Sequence, residues 1–142
     1  MDNDSVKLLR ECNAGIKMGV NSIKRVLPYV ENKGLKKMLN ACKDEHAVLA
    51  DKAHSLLLRH GANTKDPHPV ARAMSEMKIA AKMIAPTEST IADVMTDGCD
   101  MGIKSLSRYI NKYKNADMDS REIANKLILI EDTLERGLRI YL

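Results

Sequence analysis

Apolar residues recur at steps of three and four along most of the chain. In the segment 4–28 the stripe includes Leu8, Cys12, Ile16, Ile23 and Val26. At about 100° per residue, these positions share one face of a helix. The segments at about 35–60, 69–85, 87–114 and 119–141 show the same period, and none alternates as a strand would. The pattern therefore predicts an all-α single domain over residues 1–142.

Turn and capping residues mark the ends of the predicted helices. Asp4 or Ser5 is expected to cap the first helix, and Thr87 the fourth. Asp119, three residues before a glutamate, has the spacing of a capping box for the fifth helix. Gly61 follows the second helix, where a left-handed glycine commonly ends a helix.

The two halves of the chain resemble each other. Residues 12–17 (CNAGIK) align with residues 99–104 (CDMGIK) at an offset of 87, and this offset also places Asp44–Glu45 on Glu131–Asp132. Each half is then a helical hairpin. The turn-rich stretch 63–69 and the short helix after it form a long connection between the two hairpins.

Two short-turn hairpins joined by a long connection resemble the ferritin-like superfamily. The resemblance implies an antiparallel four-helix bundle of ferritin-like topology, with an extra short helix in the crossover between the second and third bundle helices. It also implies a test, because ferritin-like di-iron proteins carry Glu-x-x-His on two of their helices. This sequence has no Glu-x-x-His, and Asp51 and His54, the nearest pair, point away from the apolar stripe of their helix. The chain therefore resembles a branch without those di-iron motifs.

One histidine nevertheless lies on an apolar face. His46 is in the middle of the second helix's stripe, and Glu45 and Glu131 flank the stripes of their own helices. Glu45, His46 and Glu131 are therefore the candidate ligands of a divalent metal such as iron, manganese or zinc. The alternative, which we favour, is a buried histidine hydrogen-bonded to a carboxylate or a backbone carbonyl.

Composition narrows the class of partner. The net charge is only +4, because acidic residues are interspersed among the basic ones. The chain also has no Phe or Trp on which bases could stack. Nucleic-acid binding is therefore not favoured. The odd number of cysteines, without a CxxC pair, indicates free thiols and a cytoplasmic location. No apolar run approaches the roughly 20 residues of a membrane span.

The sequence contains no phosphate-binding loop, dinucleotide-binding motif or serine nucleophile elbow. It therefore favours a non-enzymatic protein-interaction or assembly module, which we expect to form a homodimer or to bind another protein. The first alternative is a degenerate metal-binding or redox carboxylate bundle. A third hypothesis is a small-molecule pocket beside inward-facing glycines at positions 15, 19 and 102.

The short connecting helix carries an apolar stripe of its own. The stripe comprises Val70, Met74, Met77, Ala81 and Ile84, and Met83 adds a further methionine. Methionine-rich surfaces can bind partners. We favour the simpler expectation that this helix covers the open end of the bundle.

Overall fold

The structure of the chain is a computed structural model that describes residues 3–63 and 67–142. Its helices are α1 (Asn3–Val26), α2 (Lys33–Arg59), α3 (Pro69–Lys82), α4 (Glu88–Lys112) and α5 (Met118–Leu138), with 3₁₀ helices at Leu27–Tyr29 and Arg139–Tyr141. No described residue lies in a strand, so the prediction of an all-α chain is confirmed for this part of the molecule. In the predicted turn-rich stretch 63–69, Thr64–Asp66 lies outside the described residues.

The five helices pack together. Helices α1 and α2 pack on each other, as do α4 and α5, while α1 and α5 also contact each other. In addition, α5 contacts α2, and α3 lies against α1 and α4. Across residues 3–63 and 67–142, no helix has the long, sparingly charged apolar stretch that crossing a bilayer requires.

The interior consists of two apolar clusters that follow one another along the helices. The first contains Ile23, Leu39 and Leu134, and the second contains Ile16 and Leu127. On α1, for example, Ile16 belongs to one cluster and Ile23 to the other. The level at which the clusters meet is where the candidate site lies.

Polar contacts tie distant helix ends together at one end of the protein. Asn115 N donates to Asp4 Oδ2 at 3.1 Å, and Asp117 N donates to Ser5 Oγ at 2.8 Å. His60, just after α2, places Nε2 3.3 Å from Asp117 Oδ2. The start of α1, the end of α2 and the α4–α5 turn therefore meet here.

The opposite end of the protein is linked by Tyr141. Its hydroxyl lies 3.5 Å from Oδ1 of Asn32, which also accepts from Leu35 N at 2.9 Å and caps α2. The end of α5 therefore lies beside the start of α2.

Two predicted helix boundaries are confirmed and two need correction. Gly61 has a φ of 68°, and Ala62 N donates to Leu57 O at 2.9 Å, which is the expected left-handed stop. Thr87 caps α4 by accepting from Thr90 N. In contrast, α5 is capped by Asp117 rather than Asp119. Residues 4 and 5, predicted to cap α1, lie within it and bond to the α4–α5 turn instead.

Candidate functional site

A layer of polar and sulfur-containing side chains crosses the interior where the two apolar clusters meet. We call it the polar layer and define it as Cys42, His46, Cys99 and Glu131. His46, with 1% of its surface exposed, is held between Cys42 of the first cluster and Leu49 of the second. On α5, Glu131 similarly lies between residues of the two clusters.

Both nitrogens of the His46 ring have acceptors as partners. Nδ1 lies 2.7 Å from the carbonyl oxygen of Cys42, and Nε2 lies 3.0 Å from Oε1 of Glu131. A carbonyl oxygen only accepts, so Nδ1 carries a proton and donates it. The contact between Nε2 and a carboxyl oxygen requires a second proton between those two atoms. The two distances are those of a ring that donates from Nδ1 and shares a further proton with the Glu131 carboxyl group through Nε2.

The pKa of His46 agrees with that arrangement. Burial alone lowers this pKa, but the hydrogen bonds with the side chains of Cys42 and Glu131, together with the charges of these two groups, outweigh burial and raise the pKa to about 10. At neutral pH the ring is therefore an imidazolium ion paired with Glu131. An imidazolium ion has no free lone pair on either nitrogen, so it cannot act as a metal ligand in this state.

The thiols of the chain are free and buried. Burial raises the pKa of Cys99 well above its usual range, and the charge of the Glu131 carboxylate raises it further. Burial likewise raises the pKa of Cys12 to about 12, with a smaller contribution from the charge of Glu11. The thiolate is the form that acts as a nucleophile or metal ligand. These two thiols are therefore protonated and unreactive at neutral pH.

A glycine on α1 makes room for the polar layer. A Cβ atom built on Gly19 of α1 would lie 2.9 Å from His46 Nε2, so the absence of a side chain lets the ring lie against α1. A Cβ on Gly102 of α4 would lie 3.6 Å from Cδ of Glu131, which is an ordinary van der Waals contact. Gly15 is exposed, and its Cβ would meet only Leu127. The space beside Gly19, where a small-molecule pocket was one hypothesis, is filled by His46.

The three predicted metal ligands do not converge. His46 and Glu131 meet, whereas Glu45 lies on the exposed side of α2, as do Asp51 and His54. Within residues 3–63 and 67–142, no three His, Cys, Asp or Glu side chains are grouped so that they could hold a metal ion. The direct contact between His46 and Glu131 also leaves no room for an ion between them. As arranged, these residues do not fit the divalent-metal site that the ferritin-like resemblance implies.

A second feature lies on the surface, where α3 turns its larger apolar face to solvent. The exposed fractions on this face are 66% at Met74 and 72% at Met77, Val70 is also exposed, and so is Ile84 just after the helix. We call Val70, Met74, Met77, Ala81 and Ile84 the outer stripe. The sequence pattern predicts that these residues share one side of the helix, and the favoured expectation is that the helix covers the open end of the bundle. The structure instead turns this side to solvent.

The inner side of α3 is held mainly by polar contacts. Its buried apolar side chain is Ile79, and Met83 is buried just after the helix. Glu76 lies 3.1 Å from Arg25 and accepts from Asn21 at 3.3 Å, both on α1. The methionines are therefore divided, since Met83 packs into the core while those at 74 and 77 face outward.

Ion pairs align α3 antiparallel to α4. Lys78 Nζ lies 2.7 Å from Asp97 Oδ2, and Lys82 Nζ lies 3.0 Å from Asp93 Oδ2. Met101 of α4 is one turn beyond Asp97. Because the helices are antiparallel, it is level with the turn of α3 that precedes Lys78, and it is 66% exposed. The register of these ion pairs therefore puts Met101 of α4 level with Met74 of α3, and we call the outer stripe together with Met101 the outer face.

These two features are the basis for assigning a function. The His46 ring of the polar layer is buried and both of its nitrogens are hydrogen-bonded, whereas the side chains of the outer face are exposed to solvent. Comparisons with protein-family models, with curated proteins and with solved structures find no match to this chain.

Proposed function

We propose that the chain is a non-enzymatic assembly module, an antiparallel four-helix bundle of ferritin-like topology that forms a homodimer through the outer face. The observation that carries this proposal is the exposure of a whole apolar side of α3. Contiguous exposed apolar surface is typical of protein–protein contact sites. The free thiols support a reducing compartment, the cytoplasm.

The contacts at the two ends of the protein support the bundle topology. The start of α1 lies with the end of α2 and the start of α5 at one end, and the start of α2 lies with the end of α5 at the other. In such a bundle α1 runs antiparallel to α2, and α5 antiparallel to α4. The segment between α2 and α4 then travels the length of the bundle, as the ferritin-like crossover does.

The spacing of the outer stripe matches the requirement for packing against another helix. Residues 70, 74, 77 and 81 of α3 follow steps of four, three and four, which is the a/d repeat of a coiled-coil seam, and Ile84 follows just after the helix. The positions beside this seam include Ala71, Ala73 and Ala80. Small flanking side chains allow a second helix to approach closely. The partner that the seam fits is therefore a helix.

The charges around the stripe favour a second copy of this chain as the partner. Lys78 and Lys82 on one side are paired with aspartates of α4, and Glu76 on the other is paired with Arg25 and Arg72. Because these charges are neutralised within the chain, they neither select an oppositely charged partner nor repel an identical copy. A self-complementary surface of this kind suits a two-fold dimer.

The proposal is tested by molar mass in solution. Multi-angle light scattering of the wild-type chain is expected to give a dimer, and the Met74→Glu/Met77→Glu variant a monomer. The matched control is Met118→Glu, an exposed methionine at the start of α5, which is expected to remain a dimer. A wild-type monomer at about 1 mM would refute the proposal, since it excludes association stronger than about 4 kcal/mol.

A further inference from the structure

We infer that oxidation of Met74, Met77 and Met101 to sulfoxides by a peroxide controls the self-association of this chain. The inference rests on the proposed homodimer, because the same three side chains lie on its outer face. It goes beyond the proposed function because it makes the outer face a site of covalent modification by a peroxide.

Among the described methionines, the most exposed side chains are concentrated on the outer face, whereas Met18 and Met38 are partly buried. Among the described residues, the large exposed apolar side chains include four methionines, and three of them are Met74, Met77 and Met101. The fourth is Met118, at the start of α5. Met83 and Met95 are buried in the core and thus shielded from a dissolved oxidant.

The thiols do not compete for the oxidant. Cys12, Cys42 and Cys99 are all buried. Burial also raises the pKa of Cys12 and Cys99, so these two remain in the unreactive thiol form. A peroxide that meets the folded chain therefore meets thioethers first.

The chemistry balances with hydrogen peroxide as the only co-reactant. The thioether sulfur attacks one peroxide oxygen, the O–O bond breaks, and a sulfur–oxygen bond forms while the other oxygen leaves as water. Sulfur is oxidised by two electrons and the peroxide is reduced by two. A dithiol-dependent sulfoxide reductase reverses the change, since the oxygen leaves as water and the dithiol becomes a disulfide.

The modification acts on the seam because a sulfoxide is polar. Buried between two apolar helices, its oxygen would have no hydrogen-bond donor. Association would cover these methionines, so oxidation acts on the monomer and removes it from the equilibrium. Peroxide should therefore shift the population from dimer to monomer, with at least a tenfold increase in the dissociation constant.

The experiment combines peptide mass spectrometry with multi-angle light scattering. Wild-type chain is measured before hydrogen peroxide, after it, and after sulfoxide reduction. We expect oxidation at residues 74, 77 and 101, conversion to monomer, and recovery of the dimer. The Met74→Leu/Met77→Leu/Met101→Leu variant should remain a dimer in peroxide, while the matched Met118→Leu control should dissociate like wild type.

The outcomes separate this inference from the proposed function. A wild-type chain that is monomeric before peroxide refutes both. A dimer that persists in peroxide, whether or not the three methionines are oxidised, overturns the oxidation control and leaves the assembly function standing. Dissociation of the triple leucine variant in peroxide also overturns it, since the sensitive atom would then lie elsewhere.

Discussion

At the scale of single residues, the interior contains an ion pair where an apolar bundle needs none. The pair between His46 and Glu131 is tolerated because Cys42 O accepts the remaining imidazolium proton, so neither charge is left without a partner. Replacing such a pair by apolar groups is often neutral, so its value lies less in net stability than in specifying which helices meet. We interpret the polar layer as a structural feature of the helical core.

The pair makes stability depend on pH in a defined direction. The pKa of His46 is raised in the folded chain to about 10, from about 6.5 when unfolded. Its stabilising contribution is thus fully present below about pH 6.5 and is lost as the pH rises towards 10. In Glu131→Gln, a neutral amide can donate to a neutral Nε2, so we expect this loss, on the order of a few kcal/mol, to shrink sharply.

Urea unfolding of both proteins at pH 6.5 and pH 9.5 provides the measurement. The raised thiol pKa values also lower stability with increasing pH, so the informative quantity is the difference between wild type and variant. Equal losses in the two proteins would contradict the assignment of the charge to His46.

Helical periodicity could place His46 in the interior, but it could not identify the carboxylate that bonds to it. Glu45 and Glu131 both lie at the boundary of an apolar stripe, where the rotation of the helix and the length of the side chain decide the direction. The structure turns Glu45 outward and Glu131 inward. The sequence does hold a usable signal, because a glycine facing the interior, such as Gly19, leaves space for a large polar side chain at that level.

At the scale of helices, the approach of α1 to α2 depends on Gly19. Its hydrogen atom faces the His46 ring, which cannot move away without breaking its bonds to Cys42 and Glu131. A methyl group there would meet the end of a ring fixed on both sides. The close packing of α1 on α2 and the position of the His46 ring therefore both require a glycine at position 19.

Gly19→Ala is consequently expected to destabilise the chain by about 1–3 kcal/mol, the usual consequence of overpacking. Gly98→Ala is the matched control, since it lies within α4 and nothing is within 4 Å of its added Cβ. There the better helix propensity of alanine should stabilise by up to about 1 kcal/mol. Chemical denaturation measures both, and destabilisation of equal size would show that the Gly19 contact is not tight.

Helix boundaries were harder to predict than helix existence for a related reason. Asp117 and Asp119 offer the same cap chemistry two residues apart, and only Asp117 is also bonded to Ser5 and His60. A cap that is shared with tertiary partners prevails over one that is only local. The serine meanwhile serves the α4–α5 turn and not its own helix, a choice that local pattern does not encode.

At the scale of the whole molecule, α3 differs from the other helices. Several buried side chains of each of the helices α1, α2, α4 and α5 belong to the two apolar clusters, whereas the buried apolar side chain of α3 is Ile79. The sequence predicted this helix and its apolar stripe, but its orientation depends on contacts such as Glu76 with Arg25 that only the fold creates. In a monomer, α3 should therefore open locally more easily than the bundle as a whole.

Hydrogen exchange should reveal both this difference and the proposed dimer. At low concentration we expect the α3 amides to exchange much faster than the central amides of α1 and α5, since few buried contacts hold α3 closed. As the concentration rises, pairing through the outer face should slow exchange in α3 selectively, because association stabilises the closed form. The Met74→Glu/Met77→Glu variant should keep fast exchange in α3 at every concentration. If α3 were as protected as α1 in dilute wild-type protein, the inner contacts of α3 would suffice to hold it, and its exposed apolar side would no longer mark a helix that needs a partner.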